Sequence, residues 1–151
     1  MSQAFNILLQ EFAASHGLPS EDSAYGLEFE CEGLGVYLVG HPLHPDRVLV
    51  EVQVAVLPDD PDSARLALLL QINEAARFEH DWVITMDGQM QVSLSTSADL
   101  AQLTVQSLEG LMLDGVERGL LLKDLLSSAA EGAAGDDDAA APSGDALIIR
   151  G

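Results

Sequence analysis

Between Val48 and Val56 every second residue is a valine, with Leu49, Glu51, Gln53 and Ala55 in between and Leu57 following. A period of two puts successive side chains on opposite faces of an extended chain, and β-branched residues suit a pleated surface. The run therefore reads as a strand buried on its valine face. The same alternation occurs earlier, where Leu27, Phe29 and Cys31 alternate with Glu28, Glu30 and Glu32, giving one apolar and one acidic face. Gly33 and Gly35 mark a turn or bulge, and Val36 to Val39 forms a strand between the two. Gly40 and the loop His41-Pro42-Leu43-His44-Pro45-Asp46 close it, since two prolines exclude regular pairing.

Helical spacing frames these strands. Phe5, Leu8, Leu9 and Phe12 predict an amphipathic helix over residues 3–16, stopped by Gly17 and Pro19. Asp59-Asp60-Pro61-Asp62 predicts a second helix start, with Asp60 as N-cap and Pro61 in the first turn. The helix from Ser63 to about Phe78 is apolar on more than one side, so it needs more than one covering surface, and a second subunit is one of them. Trp82, Ile84 and Met86 lead into Asp87-Gly88, and Met90, Val92 and Leu94 lead out, which predicts a hairpin. A last helix is expected from Thr96–Asp99 through Leu125, with Gly110, Gly115 and Gly119 weakening it, so that packing must hold it. The order α-β-β-β-α-β-β-α with short connections gives an α+β class built on a mostly antiparallel, twisted sheet.

The chain has 151 residues and a formal net charge of −19, so phosphate backbones and anionic lipid are disfavoured, and neither nucleic acid nor a membrane is an expected partner. With 48% hydrophobic residues it still has material for a core. Only five carboxylates and Arg150 lie in residues 127–151, so about −15 falls on residues 1–126. This divides the chain into a domain over 1–126 and a flexible acidic Ala/Gly/Asp-rich tail over 127–151, whose short apolar end Ala146-Leu147-Ile148-Ile149 is able to dock on a strand edge or groove. One cysteine excludes an internal disulfide, and neither a basic leader nor a membrane-length apolar run is present, so a cytoplasmic protein is expected.

Catalytic chemistry finds little support. His41, His44 and Asp46 sit on a proline-stiffened loop with no obvious third ligand, so no metal is expected there. Cys31 runs in phase with Leu27 and Phe29 and reads as core rather than nucleophile. Asp59, Asp60 and Asp62, like Glu28, Glu30 and Glu32, have no apolar surroundings to separate their pKa values, and solvated caps and faces account for them. No phosphate loop or hydrolase elbow occurs. Neither enzyme activity nor a cofactor is expected. What remains is surface for protein: apolar stripes beside carboxylates suit an extended, partly basic segment of another chain, added to a sheet edge.

The stretch Leu68-Leu69-Leu70-Gln71-Ile72-Asn73-Glu74-Ala75-Ala76, followed by the hairpin at Asp87-Gly88-Gln89-Met90, resembles the second helix and hairpin of the class I type III secretion chaperones, the Tir chaperone or CesT-like family. Together with acidity, length and element order, the resemblance covers about residues 3–126. It implies a bacterial cytoplasmic homodimer that binds the N-terminal segment of a secreted effector in extended form and keeps it soluble for export, with the secretion ATPase as a further partner. It maps effector binding onto Leu9, Phe12, Leu27, Phe29, Leu38, Val50 and Val52. The dimer interface falls on Leu66, Leu69, Leu70, Asn73, Ala76 and Trp82. Phe78-Glu79-His80-Asp81 replaces the family's usual glycines after the second helix. The alternative is a regulatory or scaffold protein of the same fold acting outside secretion.

Overall fold

Five strands form one antiparallel sheet in the computed structural model, which describes residues 3–18, 26–76 and 82–134, the last few without side chains. The order along the chain is α1 (Gln3–His16), β1 (Gly26–Cys31), β2 (Leu34–Gly40), β3 (Arg47–Val56), α2 (Ser63–Ala76), β4 (Val83–Met86), β5 (Gln91–Asp99), a short 3-10 turn (Leu100–Gln102) and α3 (Val105–Ala134). Across the sheet the strands run β1-β2-β3-β5-β4. The expected α+β class and element order are those found.

Alternation decides which face is covered. Leu27, Leu38 and Val50 line up across the first three strands, and Phe29, Val36, Val52, Leu94 and Ile84 form the next row across all five. On this face Val36, Leu38, Val48, Val50 and Val52 are completely buried, each contributing roughly 1.5–3 kcal/mol of apolar burial. Phe5, Leu9 and Phe12 of α1 and Leu108, Met112 and Val116 of α3 join them in one core. Gly119 lets α3 come down on the sheet, since a Cβ there would meet Leu34 at 2.9 Å.

Several boundaries differ from the sequence expectation. A bulge between Gln53 and Ala55 shifts the phase of β3, so Val56 is 67% exposed and Leu57 is buried instead. Asp62, not Asp60, caps α2, accepting from the backbone of Arg65 at 2.8 Å. The expected helix start at Thr96–Asp99 is the end of β5, because β3 is long enough to pair as far as Arg47 with Asp99. Asp99 caps the 3-10 turn instead, and α3 begins after Thr104, which exchanges hydrogen bonds with Ser107 in a reciprocal cap. The helix then continues past residue 126 to Ala134.

The β1–β2 and β4–β5 hairpins follow from local chemistry. Glu32 and Gly33 have positive φ values of 52° and 76°, the pair a two-residue β1–β2 turn requires. At the β4–β5 hairpin the positive φ falls on Met90 rather than Gly88. Asp87 organises that loop, its Oδ1 accepting from the backbone of Gln89 and Gln91. No helix among the described residues is long and apolar enough to cross a membrane.

Candidate binding surfaces

The two outer strands of the sheet differ in accessibility. On β4, Asn73 of α2 donates through Nδ2 to the carbonyl of Ile84 at 2.9 Å and accepts through Oδ1 from its N–H at 2.7 Å. One side-chain amide thereby occupies both main-chain groups at the middle of a four-residue strand. On β1, no hydrogen bond beyond its ladder with β2 reaches the backbone of Gly26–Cys31 among the described residues. Among the described residues, β1 is the open edge. Unpaired strand edges accept further strands, and short length or a covering element blunts them.

The face of the sheet away from the helices is acidic at the β1 end. Glu28, Tyr37, Glu51 and Ser95 follow one another across it, and Glu30, Gly35 and Gln53 form the adjacent row. The Tyr37 hydroxyl donates to Glu28 at 2.7 Å. That bond, with partial burial and the nearby carboxylates of Glu28 and Glu51, pushes the Tyr37 pKa up from its usual value. Phe29 and Cys31 are half-buried on the opposite face, at the strand's margin. Burial first, and the Glu32 carboxylate after it, raise the Cys31 thiol pKa above its usual value.

A second feature is an apolar cleft of about 210 Å³ between Ile72 of α2, Trp82 and Ile84 at β4, and Leu121, Leu122 and Leu125 of α3. Trp82 is fixed at its base: the indole N–H donates to Asp114 at 2.8 Å, and Asp114 in turn receives Arg118 Nε at 2.9 Å. Arg118 stands at the cleft's wall.

Of the expected effector-binding residues, Leu9, Phe12, Leu27, Leu38, Val50 and Val52 are buried within the chain's own core, at 6% exposure or less. Of that set Phe29 alone reaches the surface. Helical and strand periodicity find the side that is buried, and here α1 and α3 already bury it. Among the expected dimer residues, Leu70 is 71% exposed, Leu66 and Ala76 are half-buried, and Leu69 and Trp82 are buried. Asn73 is engaged with β4. The sequence reading missed Asn73's closing of the β4 edge and the cleft's α3 wall. A side-chain amide, Asn73, among the apolar residues of α2 was the available signal for the first. His41 and His44 pack ring to ring at 4.7 Å, and no group of three His, Cys, Asp or Glu among the described residues is placed to hold a metal. The Phe78–Asp81 turn and the Ala146–Ile149 end lie outside the described residues.

An open strand beside an acidic sheet face, with an apolar cleft elsewhere, makes this a protein-binding module. The chain belongs to the Tir chaperone protein (CesT) family, whose model matches residues 7–118. A chain in the crystal structure of the ExsC–ExsE complex is 26% identical and superposes with a TM-score of 0.69, covering 83% of this chain and 97% of that one. A chain of the HopA1–SchA chaperone–effector complex is 15% identical with a TM-score of 0.64, covering 80% and 94%. A chain in the complex of the Yersinia pestis type III secretion chaperone SycH with a stable fragment of YscM2 is 16% identical, with a TM-score of 0.58 and coverage of 78% and 98%. The last two similarities concern the fold. No curated protein sequence matches at a significant level.

Proposed function

We propose that this chaperone holds an N-terminal segment of a secreted effector in extended form along the free edge of β1, keeping it soluble and competent for type III export without catalysing a reaction. The observation that carries this reading is the asymmetry of the sheet: Asn73 occupies the main chain of Ile84 in β4, while no described residue covers the outer main chain of β1. A strand added at β1 gains main-chain hydrogen bonds, each worth about 0.5–1.5 kcal/mol net. Its side chains then alternate between two environments. One set falls beside Phe29 and Cys31, the other beside Glu28 and Glu30. The fitting client sequence alternates apolar residues with Lys or Arg.

We further infer a homodimer seated on the outer side of α2. Leu66, Leu70 and Asn73 lie three and four residues apart and share one stripe, whereas Leu69, Ile72 and Ala76 share another. The second stripe faces the cleft and α3. The first leaves Leu70 uncovered, and Val83 and Met86 of β4 are also exposed, at 56% and 44%. In this reading residues 1–126 are the binding unit, residues 127–151 an acidic appendage, and the compartment is the bacterial cytoplasm, where the secretion ATPase receives the complex.

Co-expression with N-terminal fragments of secreted proteins encoded beside this gene tests the reading. One fragment is expected to co-purify at two chaperone chains per fragment, with its bound segment protected from proteolysis. If none does, effector binding is not the function.

A further inference from the structure

The cleft between α2, β4 and α3 is apolar, and nothing among the described residues fills it. At about 210 Å³ it falls below the roughly 300–1,000 Å³ of a small-molecule site. Its walls are aliphatic and aromatic, and Leu121 and Leu125 are left 60% and 48% exposed. Such a surface fits a few aliphatic side chains of a polypeptide.

We propose that the cleft is filled by Leu147-Ile148-Ile149 of the same chain. Two observations point to this occupant. The first is chemical: between Gly135 and Gly151 the only large aliphatic residues are these three, set in a run of Gly, Ala, Asp, Pro and Ser. The second is reach. Nine residues of helix separate Leu125 from Ala134, about 14 Å at 1.5 Å per residue. Thirteen residues lead from Ala134 to Leu147, and at about 3.3 Å each they span up to roughly 43 Å, ample for the return. A linker of that length gives an effective concentration of about millimolar, which fills a site of submillimolar intrinsic affinity.

Charge adds nothing to this argument, because Arg118 at the cleft's wall is paired with Asp114 and Arg65 with Asp62. The proposal does not rest on effector binding, since the cleft lies on the opposite side of the sheet order from β1.

A disulfide-trapping experiment in the full-length Cys31→Ser protein tests it. Ile148→Cys is paired either with Leu121→Cys, in the cleft, or with Leu120→Cys, the adjacent residue turned about 100° away on α3. Under mild oxidation the Leu121 pair is expected to close within one chain at least about ten times faster than the Leu120 pair. Changing Leu147, Ile149 and, in a separate protein with native α3, Ile148 to serine is expected to raise binding of an apolar dye several-fold. Equal trapping rates overturn the proposal. So does a disulfide that forms between chains, which would seat the segment in a second copy. Unchanged dye binding in the triple-serine protein overturns it as well, because the cleft would then be open already or covered by another surface.

Discussion

Gly115 lies under the indole of Trp82, where a Cβ would run into the ring. Gly110, one and a half turns earlier on the same helix, has open space around it. The two positions should therefore respond oppositely to the same change. Gly110→Ala is expected to stabilise the protein by about 0.5–1 kcal/mol through helix propensity. Gly115→Ala should destabilise it by roughly 1–3 kcal/mol by displacing Trp82 from Asp114. Urea denaturation of both variants checks the signs. His16 ties the end of α1 to α3, with Nδ1 2.9 Å from the carbonyl of Phe12 and Nε2 3.3 Å from Glu109. The Phe12 carbonyl first, and Glu109 after it, raise the His16 pKa above its usual 6.5, against an opposing effect of burial. A raised histidine pKa means that its stabilisation is complete below the unfolded value and is lost as pH rises through the folded one. Wild type is thus expected to lose stability relative to His16→Gln as pH climbs from about 6 to 8. Parallel urea titrations at the two ends give the difference, and a constant difference would remove His16 from the pH response.

At the scale of elements, α2 is the one helix whose sequence and burial disagree most. It is rich in leucine, yet Leu69 is its one fully buried residue. Leu69→Glu and Leu70→Glu are neighbours with different expected outcomes. The first buries a carboxylate without a partner and should give an unfolded or insoluble chain. The second changes a residue 71% exposed and should leave circular dichroism unchanged while halving the mass seen by light scattering. An unchanged mass would move the dimer seat elsewhere. The all-round apolar character of α2 was legible in the sequence because it is a property of composition. Which stripe meets α3 was not, since it depends on how α2 sits against β4. The same distinction explains β5. Thr96 and Asp99 have the residue types of a helix start, but the pairing partner offered by β3 decides in favour of strand. In β3 the valine period was read correctly up to the bulge, and no residue near Gln53 announces that the phase will slip.

For the whole molecule, the order of elements and the core were legible because both rest on hydrophobic periodicity. The binding surface was not: the same periodicity picks out buried side chains, Leu38, Val50 and Val52 among them, and does not say which positions a partner reaches. What survives from the sequence is the acidic alternation of β1. Glu28→Lys with Glu30→Lys is expected to weaken client binding about tenfold at low salt and to flatten its dependence on ionic strength, as titration calorimetry at two salt concentrations would register. Salt-insensitive binding by wild type would assign recognition to apolar contacts alone. Asn73 has a further consequence at this scale. A sheet with two open edges lets identical molecules join head to tail, and such a contact has no symmetry to terminate it. With Ile84 at the middle of β4 occupied, joining β4 to the β1 of another copy is disfavoured, and two β1 edges that pair with each other close as a dimer, so edge pairing has no route to an open-ended chain of chaperones.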